Sequence, residues 1–389
     1  MSEPVLDAAA SPAARRRSLV FIGLAVAGLS FAMGIQQGLN ENFVVTEIGL
    51  GAADRGLLEA CREACGILAL VVLAMLAGFA EPLVASAMIL LVAAGIAGYA
   101  WAHDKWLLIG MSLVWSQGLH CWMPLPSSMT LALAEPGRAG HRLGQIGAAG
   151  AAGFGLALAA AYGLTWAGVT MRPMYVVAGA AAVFAAAACL GIHRKVKTPG
   201  PRLVFRRKYG LYYTLCFLEG WRKQIFICFA PYMLVKVYEA PLETMLVLWG
   251  IVQVIGYFAS PHVGRLIDRL GERKVLVAYY SGIIPVFVGY AAIPSAYALY
   301  ALFVLDSALF MLAMALTTYV NRIAPKGEHT QTLSMGVAMN HVAAVAMPLL
   351  GGLLWKLYGY QWTFIVGGAA ALASLAVSMR VPKRAAAEA

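Results

Sequence analysis

The sequence predicts an all-α membrane protein of twelve transmembrane helices in two pseudo-symmetric six-helix bundles, and three observations carry that prediction. Of 389 residues, 61% are hydrophobic and only 12% charged, with a mean hydropathy of +0.75. A soluble domain carries about 25% charge and could not hide so much apolar surface. Runs free of Lys, Arg, Asp and Glu, such as Pro82 to Ala102 and Val275 to Leu305, are long enough to cross the ~30 Å hydrocarbon core as helices of ~20 residues. Their continuous rather than alternating apolar character excludes a barrel, the other structure that satisfies its backbone in lipid. Finally, the basic residues sort by side when the loops are assigned alternately.

The apolar runs, bounded by charge, Pro or Gly, place the first six helices near Ser18–Val45, Gly56–Phe79, Pro82–Ala102, Lys105–Ala134, Arg142–Ala167 and Pro173–Ile192. The basic, Pro-containing stretch 193–208 is too charged to be buried and too short for a domain, so it reads as a cytoplasmic linker. Six more helices follow near Tyr209–Val237, Leu242–Val263, Val275–Ala292, Tyr297–Ile323, Gln331–Tyr358 and Trp362–Met379. The expected organisation is a tail over 1–17, a bundle over 18–192, the linker over 193–208, a second bundle over 209–379 and a tail over 380–389.

With the amino terminus inside, the inner loops take Arg15 to Arg17, Arg138, Arg142, the bases of the linker, Arg265 to Lys274, Arg322, Lys326 and Arg380 to Arg384. The outer loops take only Arg55, Lys105, Arg172, Lys236 and Lys356. This asymmetry predicts an even helix count, both termini cytoplasmic and residence in a plasma membrane, expected as a bacterial inner membrane. It also explains the net charge of +11 without nucleic acid, which is not expected as a partner. Arg15, Arg16 and Arg17 precede an apolar run without the short core and small-residue site of a cleaved signal, so a cytoplasmic tail is expected. The six cysteines fall in or at the ends of apolar runs and read as small core residues rather than disulfides.

The halves echo each other. Glu135, Pro136, Gly137, Arg138 and His141 precede Leu143 at the fourth-to-fifth junction, and Pro325, Lys326, Gly327, Glu328 and His329 precede Leu333 at the tenth-to-eleventh. Repeated bundles around a midplane site are a transporter architecture. The segment Gly264-Arg-Leu-Ile-Asp-Arg-Leu-Gly-Glu-Arg-Lys274, between the eighth and ninth helices, resembles the signature loop of the major facilitator superfamily. Gly264 and Gly271 would permit a tight turn and close helix approach, and Asp268 would cap a helix or pair with an arginine across a cytoplasmic gate, of which Arg269 and Arg273 are also expected members. The family's usual second copy lies between the second and third helices, where this chain has Gly78-Phe-Ala-Glu-Pro82, with Glu81 in the place of the Asp and no basic residues after it. The resemblance implies a secondary transporter, not an enzyme, whose first, fourth, seventh and tenth helices line a central cavity.

Charges in a bilayer interior are costly and mark a pathway, a proton site or a pair. On the seventh helix Glu219, Arg222 and Lys223 lie at i, i+3 and i+4 with Gln224 beside them. Two readings stay open: an internal Glu219–Arg222 pair, or Arg222 and Lys223 facing a substrate anion. Glu59, Arg62 and Glu63 repeat the spacing on the second helix, as pathway lining or as interfacial charge. Further substrate-binding candidates are Gln36, Gln37 and Asn40 on the first helix, His120 on the fourth, and Asn340 and His341 on the eleventh. Glu219, Asp306 and Glu41 are the carboxylates expected to couple transport to protons, and a histidine is an alternative.

His120, Cys121 and Met123, with Cys61 and Cys65, raise a soft-metal alternative. It is outweighed by the ease of such neighbours in a Met-rich chain and by the repulsion of Arg222 and Lys223, so no metal and no cofactor is expected. Gly147, Gly150, Gly153 and Gly155 lack the ending of a phosphate loop and suit close helix packing. The expected function is movement of a small polar or anionic organic solute by alternating access, coupled to protons, by a monomer in contact with membrane lipid. The alternative is export of amphipathic compounds or drugs, with Trp115, Trp122, Trp221, Tyr232 and Trp249 as an apolar wall.

Overall fold

A computed structural model describes residues 11–76, 78–135, 138–193, 205–325 and 328–383. The expected tails and linker fall largely outside these residues, Arg194 to Arg202 among them, and Lys326 also lies outside. The described chain is helical: α1 (Pro12–Asn42), α2 (Ala52–Met75), α3 (Glu81–Gly98), α4 (Lys105–Trp122), α5 (Leu125–Leu133), α6 (Ala139–Trp166), α7 (Met171–Cys189), α8 (Gly210–Lys236), α9 (Leu242–Leu270), α10 (Glu272–Ala292), α11 (Ala296–Phe310), α12 (Met314–Ile323), α13 (His329–Tyr358) and α14 (Tyr360–Ser378). The pairs α4–α5 and α11–α12 are each one rod with a break, giving twelve rods. Pro124 breaks the fourth because it has no N–H for the helix ladder. A single 3₁₀ turn, Met311–Ala313, breaks the tenth.

Nine helices among the described residues are long and apolar enough to cross a membrane. The rods that fall short are α2, α4–α5 and α8. They are the ones that carry Glu59, Arg62 and Glu63, then Gln117 and His120, then Glu219, Arg222 and Lys223. The helix ends follow local chemistry. Ser11 accepts from the Ala14 N–H with Pro12 behind it, and the Asp104 carboxylate accepts from the Trp106 and Leu107 N–H groups at 2.7 and 3.1 Å. Gly271 and Gly359, at φ of +78° and +94°, are one-residue junctions between α9 and α10 and between α13 and α14, a conformation that glycine adopts without strain.

The contacts divide the chain into two compact units: Met1–Ile48 with Cys65–Pro201, and Gly49–Ala64 with Arg202–Ala389. Helix α2 therefore contributes residues to both. In the first unit α1 packs on α6 and α7, and α3 on α4 and α7. Small residues let these backbones approach, as membrane helices require where lipid offers no hydrophobic drive. A Cβ on Gly153 would collide with the Ala27 carbonyl, and one on Gly34 would lie 2.7 Å from the Ala157 Cβ. Of the glycine run on α6, Gly150 and Gly153 face α1, whereas Gly147 and Gly155 face open space. In the second unit α8 packs on α13 and α14, and α10 on α11 and α14. A Cβ on Gly220 would strike the Asn340 carbonyl, which brings the centre of α8 against α13.

Candidate functional site

The centre of α8 in the second unit concentrates charge, with Glu219, Arg222 and Gln224 buried and Lys223 half-buried. Consecutive residues on a helix point about 100° apart, so Arg222 and Lys223 serve different neighbours. Arg222, fully buried, holds Glu219 at 3.0 Å and Asp306 of α11 at 3.2 Å. Tyr279 and Tyr280 of α10 donate to the two oxygens of Glu219 at 2.9 and 3.1 Å. The guanidinium also lies over the Tyr279 and Phe310 rings, 5.5 Å from each centroid. Two carboxylates around one guanidinium leave one negative charge in excess, and Asp306 Oδ2 makes no hydrogen bond among the described residues.

Lys223 and Gln224 face the other way, toward α13 and the stretch 49–64. Lys223 Nζ donates to Asn340 Oδ1 at 2.9 Å, and Asn340 Nδ2 donates to the Cys216 carbonyl at 3.2 Å. Gln224 donates to Glu59 at 2.8 Å, and the same carboxylate holds Arg55 at 2.8 Å and Arg62 at 3.1 Å. His341 Nδ1 lies 2.9 Å from Glu63. Glycines bring the chains close enough for these bonds: a Cβ on Gly56 would collide with the Pro348 carbonyl, and one on Gly352 would come within 2.6 Å of the Ala52 carbonyl. Among the described residues Lys223 has no carboxylate within ion-pair distance, and it is only half-buried.

In the first unit Gln36 donates to Asn40 at 2.9 Å and Asn40 to Glu41 at 2.7 Å, a buried chain along α1 with half-buried Gln37 beside it. The α1 helix then widens into a π-helical turn over Phe43–Glu47. His120 Nδ1 turns back on its own helix, 2.8 Å from the Ser116 carbonyl, and Gln117 donates to the Cys121 sulfur at 3.2 Å.

The signature segment contains less loop than the sequence suggests. Gly264, Asp268 and Arg269 belong to the last turns of α9, Gly271 is the junction, and Arg273 is in the first turn of α10. The charged end of a helix projects beyond the apolar run that marks it, which is why the helix outlasts the expected Val263. A Cβ on Gly264 would meet nothing within 4 Å. Asp268 is exposed and does not cap α10, whose N-cap is Gly271. Glu272, next to Gly271, makes an ion pair, 3.2 Å from Arg322 at the end of α12. In the first unit Glu81 holds the matching place at the start of α3, is fully buried and accepts from Ser128 of α5 at 2.7 Å. Glu272 stood inside the motif, whereas the tyrosines that hold Glu219 carry no sequence signal, because a buried Tyr is ordinary core.

Glu328 gathers the end of the linker at the start of α13. It accepts from Lys208 and Tyr209, both at 2.6 Å, and lies 3.3 Å from Arg206. The Lys208 hydrogen bond, then that of Tyr209, hold its carboxyl below the ordinary glutamate value. A lowered folded-state value adds stability above the unfolded pKa, and that stability is lost as pH falls through the folded one. The difference in melting temperature between wild type and Glu328→Gln is therefore expected to be full at pH 7 and to shrink below about pH 4.3. A difference that does not change between pH 7 and 3 contradicts this linkage.

The profile described as Major Facilitator Superfamily matches residues 18–329 and, a second time, 216–389. The chain belongs to the major facilitator superfamily. Membership makes it an integral membrane protein and a transporter, and the second match, which begins within α8, agrees with a repeated architecture. A comparison with curated proteins finds no match. Among solved structures, a mutant of the nucleoside transporter NupG superposes with a TM-score of 0.79 at 12% identity, covering 94% of this chain and 100% of that one. A bacterial homolog of the human lysosomal transporter Spinster, in an inward-facing, unoccupied conformation, gives 0.73 at 13%, covering 95% and 97%. A D-xylose–proton symporter gives 0.70 at 13%, covering 94% and 98%. At such identities the likeness establishes the superfamily fold and no substrate.

Proposed function

We infer that this superfamily transporter moves a small anionic organic solute by alternating access, coupled to protons, in a bacterial inner membrane with both termini in the cytoplasm. The observation that carries the anion is Lys223. It is the cation at the centre of α8 whose bonded partner is an amide rather than a carboxylate. Asn340, His341 and Gln224 supply hydrogen bonds around it, and Gln36, Gln37, Asn40 and His120 are the candidates from the first unit. Arg222 is already held by Glu219 and Asp306, so it acts on the solute indirectly, by fixing α8. The excess negative charge at Glu219 and Asp306 suits a proton, with Glu41 as the corresponding carboxylate of the first unit. Gating is assigned to the α9–α10 junction, from Gly264, Asp268 and Arg269 through Gly271 to Arg273.

The test is a thermal-shift panel of organic anions, amphipathic cations, sugars and thiophilic metals on purified protein at two pH values, since a solute stabilises the state that binds it. Stabilisation by an organic anion, stronger at the lower pH, supports the reading. Stabilisation by amphipaths alone would move the assignment to a drug exporter.

A further inference from the structure

We propose that the groove between α1 and α6 in the first unit is a binding site for the headgroup of an anionic phospholipid. The groove encloses about 350 Å³ and is lined by Arg16, Leu19, Val20 and Gly23 of α1 and by Arg142, Gln145 and Ile146 of α6. Its lining is ordered by depth. On α1 the positions i, i+3 and i+4 run from the Arg16 guanidinium to Leu19 and Val20, and on α6 they run from Arg142 through the Gln145 amide to Ile146. Both bases are at one end, where the first apolar segment begins, and Val20, more than half exposed, continues the groove toward lipid. A ligand that fits is anionic at one end and hydrocarbon at the other.

Among the described residues the groove keeps a positive charge. Arg142 is committed to Glu135 through two bonds of 2.9 and 2.6 Å and to Gln145 at 2.9 Å, so Glu135 neutralises it. Arg16 is exposed and has no ion-pair partner among the described residues, Arg15 and Arg17 flank it in sequence, and Arg138 precedes Arg142 by four residues. Arg17 lies over the Phe21 ring, 5.5 Å from its centroid. Basic pockets between membrane helices bind anionic headgroups in this way. Gly23 leaves the space: a Cβ there would meet only Ile146 Cδ1, at 3.8 Å.

The test is native mass spectrometry of the delipidated full chain titrated with phosphatidylglycerol and with phosphatidylcholine. Wild type is expected to bind the anionic lipid at least fivefold more tightly than the zwitterionic one. Arg16→Gln should weaken phosphatidylglycerol about fivefold, the contribution of one basic residue at an anionic surface. Gly23→Leu, which fills the groove without touching a charge, should weaken it by at least as much. Arg207→Gln, at an exposed arginine outside the groove, controls for general charge and should bind as wild type. The proposal is overturned if the two lipids bind equally, if Arg16→Gln or Gly23→Leu binds as wild type, or if Arg207→Gln weakens binding as much as Arg16→Gln.

Discussion

Replacing Arg222 by Ala is expected to destabilise the protein by about 3–5 kcal/mol, because it leaves Glu219 and Asp306 buried without their cation. Removal of one partner from a buried ion pair costs far more than exchange of the whole group for apolar or neutral residues of similar shape, which is often neutral. The group has three charged members, so relief should come in steps. Arg222→Ala with Glu219→Gln still strands Asp306 and should recover only part of the loss. Arg222→Met with Glu219→Gln and Asp306→Asn should recover most of it, with one of Tyr279 and Tyr280 donating to the new amide oxygen and the other accepting from its NH2. Size-exclusion profiles and melting temperatures of the purified variants check this order, and an Arg222→Ala variant as stable as wild type would contradict the burial.

The second large effect is expected at Glu59. Its carboxylate holds Arg55, which is 1% exposed, together with Arg62 and Gln224. Glu59→Ala takes from a buried guanidinium the carboxylate 2.8 Å away, again a cost of about 3–5 kcal/mol by the same principle. The loss should be local as well as global, because this carboxylate bonds the 49–64 stretch to α8 while the glycine contacts at Gly56 and Gly352 seat it on α13. Hydrogen exchange is expected to rise over 52–64 and over the facing turns near 348–352, with α10 and α14 little changed. Uniform change across the second unit would show that Glu59 does not hold this stretch in place.

Much of the fold was legible because lipid imposes it. Apolar runs of bilayer length have one solution, so composition, twelve rods and loop charge all pointed the same way. The rod ends were less legible: α9 continues through Gly264 and Asp268 because helical hydrogen bonds do not stop where hydrophobicity does. The candidate site was legible by residue type and not by partner. Spacing placed Glu219, Arg222 and Lys223 together, yet only the packing of α8 against α10, α11 and α13 shows Arg222 held by two carboxylates and Lys223 by an amide. Asp268 drew the gating assignment through its motif, whereas the ion pair of Glu272 with Arg322 depends on the packing of α10 against α12, which the motif does not encode.

The central claim, that Lys223 receives the charge of an anionic solute, is tested most directly by calorimetric titration of the stabilising anion into wild type, Lys223→Ala and Lys223→Gln. Lys223 is half-buried and bonded to a neutral group, so both variants should keep the wild-type melting temperature within the range of an ordinary surface substitution, about 0.5 kcal/mol. Loss of a charge-assisted contact worth about 1.5–3 kcal/mol should weaken binding at least tenfold. Wild-type affinity in either variant would contradict the account.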